Sequence, residues 1–167
     1  LGCVSVARRT TVLMRRAMVR DHIVLPSLVY HHAALGCLDK GGGKGVAAEY
    51  VERLRVRTPS IDTTIVNLSG GNQQKVILAK WLIAESQVLI LDEPTRGIDV
   101  NAKTEFYTLM SDFVSQGGCI IMVSSELPEI LGVSDRIIVM REGEISGELA
   151  REDASEQAII QLASQTS

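Results

Sequence analysis

No two of the three cysteines, Cys3, Cys37 and Cys119, form a C-x-x-C pair. An odd, widely spaced set of this kind excludes a disulfide framework and a zinc-finger-like site, and it fits a reducing cytoplasm. Aromatic residues are scarce, at 4%. They do not interleave with the five arginines, Arg8, Arg9, Arg15, Arg16 and Arg20, that are the only charges in the first twenty residues. A base-stacking surface is therefore not expected there, and the arginines read as a solvated basic arm. A strongly basic balance is also missing: the net charge is −3 and the pI near 5.6, which argues against nucleic acid as a general partner. No apolar run approaches the roughly 18 residues of a membrane span, and Lys80 interrupts the longest candidate, residues 76–84. The chain begins at Leu1 without the apolar stretch of a signal peptide, and we expect it to be a fragment.

What remains, 46% apolar residues in a chain of 167, is enough for one domain with a real core. Residues 88–91 (VLIL) and 119–123 (CIIMV) are short continuous apolar runs of the kind found in buried parallel strands. Between them Phe106, Leu109, Met110, Phe113 and Val114 recur at helical spacing, with Asp99 to cap the start and Gly117-Gly118 to end the helix. Strand, helix, strand is a crossover unit. A short helix is expected at 128–131, strands at 136–140 and 145–149 around a turn, and a last helix capped by Ser155 with Ala158, Ile159 and Leu162 inward. Upstream, Val46, Tyr50, Val51 and Leu54 carry helical spacing, and 73–84 is a second helix, so 19–85 reads as a helical subdomain. Residues 86–167 read as an α/β part. Residues 1–18 show weak periodicity and are left unassigned, as an aberrant N-terminus.

Two glycine and histidine clusters invite a chemical reading and do not sustain it. Residues 41–45 (GGGKG) lack the spacing of a P-loop, since Leu38 stands where the first glycine belongs and Gly45 where a hydroxyl belongs. We expect 39–45 to be a plain glycine-rich loop. His31 and His32, near Cys37, are adjacent residues that would face different sides of a helix, so they read as surface groups.

Two other stretches carry more. In LSGGNQQK, residues 68–75, two bare glycines and small polar groups precede an apolar helix, which suits backbone amides meant to face phosphate. After 88–91, Asp92-Glu93 puts two acids at the carboxyl end of a parallel strand, where open α/β sheets bind ligands. Asp92 could hold magnesium and Glu93 polarise an attacking water; equally, acids often end strands in solvated loops.

The order LSGGNQQK, VLILDEPTRGID, SSELPEIL resembles the ATP-binding cassette ATPases, and in particular the C-terminal cassette of the double-cassette ATPases of bacterial monosaccharide importers. The resemblance spans about residues 19–160 and includes MVRDHIVLPSL, residues 18–28. It implies a partial P-loop NTPase fold: a RecA-like parallel sheet with helices plus a helical signature subdomain. It implies that Ser69, Gly70, Gly71, Asn72 and Gln73 face the γ-phosphate of an ATP gripped by a second cassette, with no Cβ at Gly70 and Gly71 to obstruct the approach. Asp92 resembles the Walker B aspartate that takes Mg2+, Glu93 the general base and Asp99 the D-loop aspartate. Ser125 falls at the switch position, where most members carry histidine and a serine cannot supply the imidazole. The partners implied are a second cassette, transmembrane permease subunits and, indirectly, a periplasmic sugar-binding protein, with the chain on the cytoplasmic face of the membrane.

The Walker A strand and loop of that family are not found in the sequence, and no glutamine precedes Gln73 for a Q-loop. We expect a truncated gene or shifted frame, a sheet with an apolar edge, and a chain inactive alone. Two readings compete: a non-catalytic interaction remnant, and a cassette of chromosome or ribosome work, which the acidic charge and lack of coiled-coil heptads disfavour.

Overall fold

The computed structural model describes residues 2–5, 14–30 and 40–164. Arg8, Arg9, His31, His32 and Cys37 lie outside the described residues. Two compact units, Leu1–Val123 and Ser124–Ser167, divide the chain. The sequence places a boundary at 85/86, but the helix before that point and the strands and helix after it pack together in the first unit.

In that unit β1 (Gly2–Ser5), β2 (Val88–Asp92) and β3 (Cys119–Val123) form a parallel sheet in the order β1-β2-β3. The strand β1 lies in the segment left unassigned by the sequence: four residues are too few for periodicity to register, and β2 supplies the hydrogen-bonding template. Ile90 is paired with Cys3 on one side and Ile121 on the other, so β2 is central, and its Leu89 and Leu91 are fully buried. β3 has a described neighbour on one side only, and Ile121 and Val123 are each 54% exposed.

Three helices form the second layer: α1 (Val19–Tyr30), α2 (Lys40–Arg53) and α3 (Gly70–Ile83). Val19 and Ile23 of α1, Ala47 of α2, and Val76 and Ala79 of α3 meet with Ile65 in a core of fully buried side chains. Each large aliphatic side chain removed from water here contributes about 1.5–3 kcal/mol. The expected glycine loop at 39–45 is corrected by α2, which starts at Lys40. Helical glycine costs about 1 kcal/mol against alanine. Close packing on α1 offsets that: a Cβ at Gly43 would lie 3.3 Å from Val24 Cγ1. The basic-arm reading also fails for Arg20, which sits in α1 and pairs with Asp62 and Asp21. Arg15 and Arg16 are exposed.

α4 (Val100–Ser115) connects β2 to β3. Asp99 Oδ1 accepts from the Ala102 amide at 2.9 Å, and Phe106 and Met110 are buried. Its end is closed by a Schellman motif: Gly117, at φ +90, donates to Val114 O and Gly118 to Phe113 O. Val114, expected on the inner face, is 43% exposed. At the other end α4 approaches α3 so closely that a Cβ on Gly71 would stand 2.6 Å from Ala102 Cβ.

The second unit is α5 (Leu127–Val133), the antiparallel hairpin β4 (Arg136–Arg141) and β5 (Glu144–Ala150), and α6 (Glu156–Ser164). Glu142 and Gly143 turn the hairpin with positive φ at both positions, and Ser155 Oγ caps α6 by accepting from the Ala158 amide. Ile137, Val139 and Ile159 are its buried core.

Two outcomes follow from this packing. His22 is 3% exposed and its Nε2–H donates to Met14 O at 3.1 Å. Burial holds its pKa below the ordinary 6.5; the Met14 hydrogen bond opposes this and Lys80 adds to it. The unfolded chain then binds more protons, so stability is complete above about 6.5 and is lost as pH falls toward the folded value. The melting temperature should fall between about pH 7.5 and 5.5, and fall less in His22→Gln. Identical pH slopes would refute the assignment. Gly71→Ala should cost about 1–3 kcal/mol by denaturant unfolding, with Ala102→Gly restoring most of it in the double variant. Equal losses with and without Ala102→Gly would mean that the contact is not the cause.

Candidate functional site

Leu68, 7% exposed, anchors the turn that starts α3, and its amide donates to Ile65 O across a 3₁₀ turn (Ile65–Asn67). Ser69 takes the N-cap position in extended conformation, φ −60 and ψ 157, but its hydroxyl does not cap. Instead Ser69 Oγ accepts from Asn72 Nδ2 at 2.9 Å, while Asn72 Oδ1 accepts from the Arg57 amide at 2.8 Å. With its oxygen occupied by that donor, the exposed Ser69 hydroxyl has its own hydrogen to offer outward. Gln73 Nε2 donates to Leu68 O at 2.9 Å. The side chains of Asn72 and Gln73, both expected to meet ligand, are thus used to hold the turn. Gly70 opens the helix, where the first-turn amides and the helix dipole favour an anion. Gly71 is buried, and the Cβ it lacks would collide with α4. Packing against α4 is thus one reason for glycine there. A groove of about 110 Å³ runs along this turn, lined by Ser69, Asn72, Lys75, Asp99, Asn101 and Glu105 among others.

At the end of β2, Asp92 and Glu93 are half-buried. The Glu93 amide continues the ladder by donating to Val123 O at 2.8 Å, yet the residue has φ +47. For a residue other than glycine that conformation costs of order 1 kcal/mol or more, and it persists because the surroundings over-determine it. Thr95, fully buried, accepts from the Ile98 amide, and Gly97 at φ +70 completes the turn into Asp99. Asp99 is exposed and caps α4. Among the described residues no three His, Cys, Asp or Glu side chains cluster as a metal site. A hard cation at Asp92 would draw most of its oxygen ligands from substrate and water, as Mg2+ commonly does.

Ser125 belongs to the second unit. Beside it Ser124 Oγ donates to Glu129 Oε2 at 2.5 Å and accepts from the Glu126 amide at 3.0 Å.

Three residues missed by the sequence reading complete the first-unit site. Lys75 is 2% exposed; its ammonium donates to Glu105 Oε2 at 2.6 Å and to Arg55 O at 3.1 Å. Arg57 reaches the other oxygen, Glu105 Oε1, at 3.0 Å. The Lys75 hydrogen bond holds the Glu105 carboxyl below its ordinary range, with Lys75, Arg57 and Arg55 charges adding to it against desolvation. The available signal was a lysine within the apolar helix 73–84, since a buried ammonium needs a partner.

The ABC transporter family profile matches residues 4–96, more than half of the chain. The match begins inside the segment that the sequence leaves unassigned. Similar curated proteins include a ribose import ATP-binding protein of Bacillus licheniformis, 47% identical over 98% of this chain and 33% of its own. A xylose import ATP-binding protein of Thermoanaerobacter pseudethanolicus is 51% identical over 87% of this chain and 28% of its own. The chain thus spans about a third of the length of these relatives. In fold it is similar to a dimeric ATP-binding cassette bound to ADP and Pi, with TM-score 0.75, 20% identity, 90% of this chain and 62% of that one. A metal-chelate type ABC transporter in an inward-facing conformation gives TM-score 0.79 at 17% identity, over 96% of this chain and 62% of its own. With its profile match extending from β1 through the Asp92-Glu93 strand end, this chain belongs to the ABC transporter family.

Proposed function

We propose that the chain is the signature- and Walker B-bearing part of the ATP-binding subunit of a bacterial monosaccharide importer. The observation that carries this reading is the built turn at Ser69: an exposed hydroxyl oriented by Asn72 at the N-terminus of a helix, beside a groove that Asp99 also lines. Such a turn receives an anion through hydroxyl and amide donors. The terminal phosphate of an ATP held by a second cassette fits that donor set. Ser69, Gly70 and Gly71 meet it, while Asn72 and Gln73 shape the turn. Asp92 takes the Mg2+ that accompanies the nucleotide, Glu93 orients the attacking water, Asp99 faces the opposite cassette, and Ser125 holds the switch position. The relatives named for ribose and xylose import support a sugar as cargo. The remaining partners are permease subunits and, through them, a periplasmic sugar-binding protein, with the chain peripheral on the cytoplasmic face. No described helix is long and apolar enough to cross a membrane.

The isolated chain should bind ATP weakly, with a dissociation constant above about 100 μM by calorimetry, because the donors at Ser69 alone are too few for tight binding. Mixed with a complete cassette of a related importer, it should change ATP turnover. Ser69→Arg, which puts a long side chain at the mouth of the turn, should abolish that change, and Glu93→Gln should lower any turnover at the chain's own strand end about 100-fold. An unaltered effect in Ser69→Arg would rule out the reading.

A further inference from the structure

Two rows of side chains face each other where α3 meets α4. Ser69, Asn72 and Lys75 recur at intervals of three along the start of α3, and Asp99, Ala102 and Glu105 recur at the same interval along α4. Residues three apart lie on one helix face. The helices touch at Gly71 and Ala102, and the rows are bridged by Lys75 and Glu105. The second Glu105 oxygen reaches Arg57, whose backbone amide donates to Asn72, whose amide in turn donates to Ser69. Glu105 is 36% exposed and lies outside the hydrogen-bonded turn itself, yet each of its two oxygens leads to that turn.

From this geometry we infer that Glu105 is a positioning residue for the signature turn. By holding Lys75 and Arg57 at once, it fixes the Ser69 hydroxyl relative to the Asp99-capped start of α4, so that the two ligand-facing segments shift together. Without the carboxylate, a buried ammonium loses its charged partner and must seek water, which draws α3 away from α4 at the helix start. Arg57, with its side chain 80% exposed, is then free to carry its amide away from Asn72. Removing the Arg57 head group alone leaves Lys75 paired, so Arg57→Gln is the milder form of the same lesion.

The consequence for turnover rests on the function proposed above; the geometric part does not, and two measurements separate them. The first is hydrogen exchange in the full chain. The Arg57 and Gln73 amides, which donate to Asn72 Oδ1 and Ser69 O, should exchange about tenfold faster in Glu105→Gln, and less so in Arg57→Gln, with amides of 76–79 within about threefold of the unaltered chain. Uniform acceleration along α3, or none in either variant, would overturn the inference. The second is ATP turnover of the mixture with a complete cassette. Glu105→Gln should raise the half-saturating ATP concentration about tenfold, and Ser69→Ala should then add less than its effect alone, because misplaced and missing hydroxyls are not independent losses. Additive effects on maximal turnover alone would mean a folding role, against the inference. If the unaltered chain has no effect on the cassette, the function reading falls and exchange alone decides the positioning role.

Discussion

α3 and α4 approach each other at Gly71 until a single added methyl would stand 2.6 Å from Ala102, and most of the site is arranged by that contact. Interiors pack too densely to absorb such an atom without moving a helix. Because the two helix starts are pressed together, the Ser69 turn and the Asp99 cap border one groove, and Lys75 can be buried and still reach a carboxylate on the neighbouring helix. A buried ammonium adds little net stability, but it penalises every arrangement in which the helices separate. Close packing and charge pairing therefore act on the same degree of freedom.

The site economises on side chains. Asn72 spends both ends of its amide, one on the Arg57 backbone and one on Ser69, and Gln73 turns back to Leu68 O. What is left to face outward is a hydroxyl, at the start of a fourteen-residue helix whose dipole favours an anion. Such a donor is pre-oriented and reorganises little when an anion arrives. Glu93 is oriented differently, through a left-handed backbone held by the hydrogen bond that its amide donates to Val123 O. Strain of this kind at a strand end beside a paired acid is common where the chain must aim a side chain.

Much of the architecture was legible beforehand because it rests on short-range pattern. The runs at 88–91 and 119–123 became β2 and β3, the Asp99 cap and the Gly117-Gly118 stop bounded α4, and Ser155 capped α6. The failures have physical causes. Gly41, Gly42 and Gly43 look like loop chemistry, and only packing against α1 makes a helix there worthwhile. β1 is four residues whose strand character is supplied by the neighbouring strand. Lys75 stood inside the quoted signature without a role, because its partner Glu105 is thirty residues away along the chain.

The sequence by itself determined which residue types could do the chemistry: the serine and glycines before an apolar helix, the acid pair after an apolar strand, the serine at 125. It also determined the family, since local spacing is enough to recognise those motifs. Only the tertiary structure decided how they are used. It assigned Gly71 to helix packing, Asn72 to orienting Ser69, and Glu105 to joining two segments, because close approach and buried charge pairing depend on distances between residues that the order of the chain does not specify.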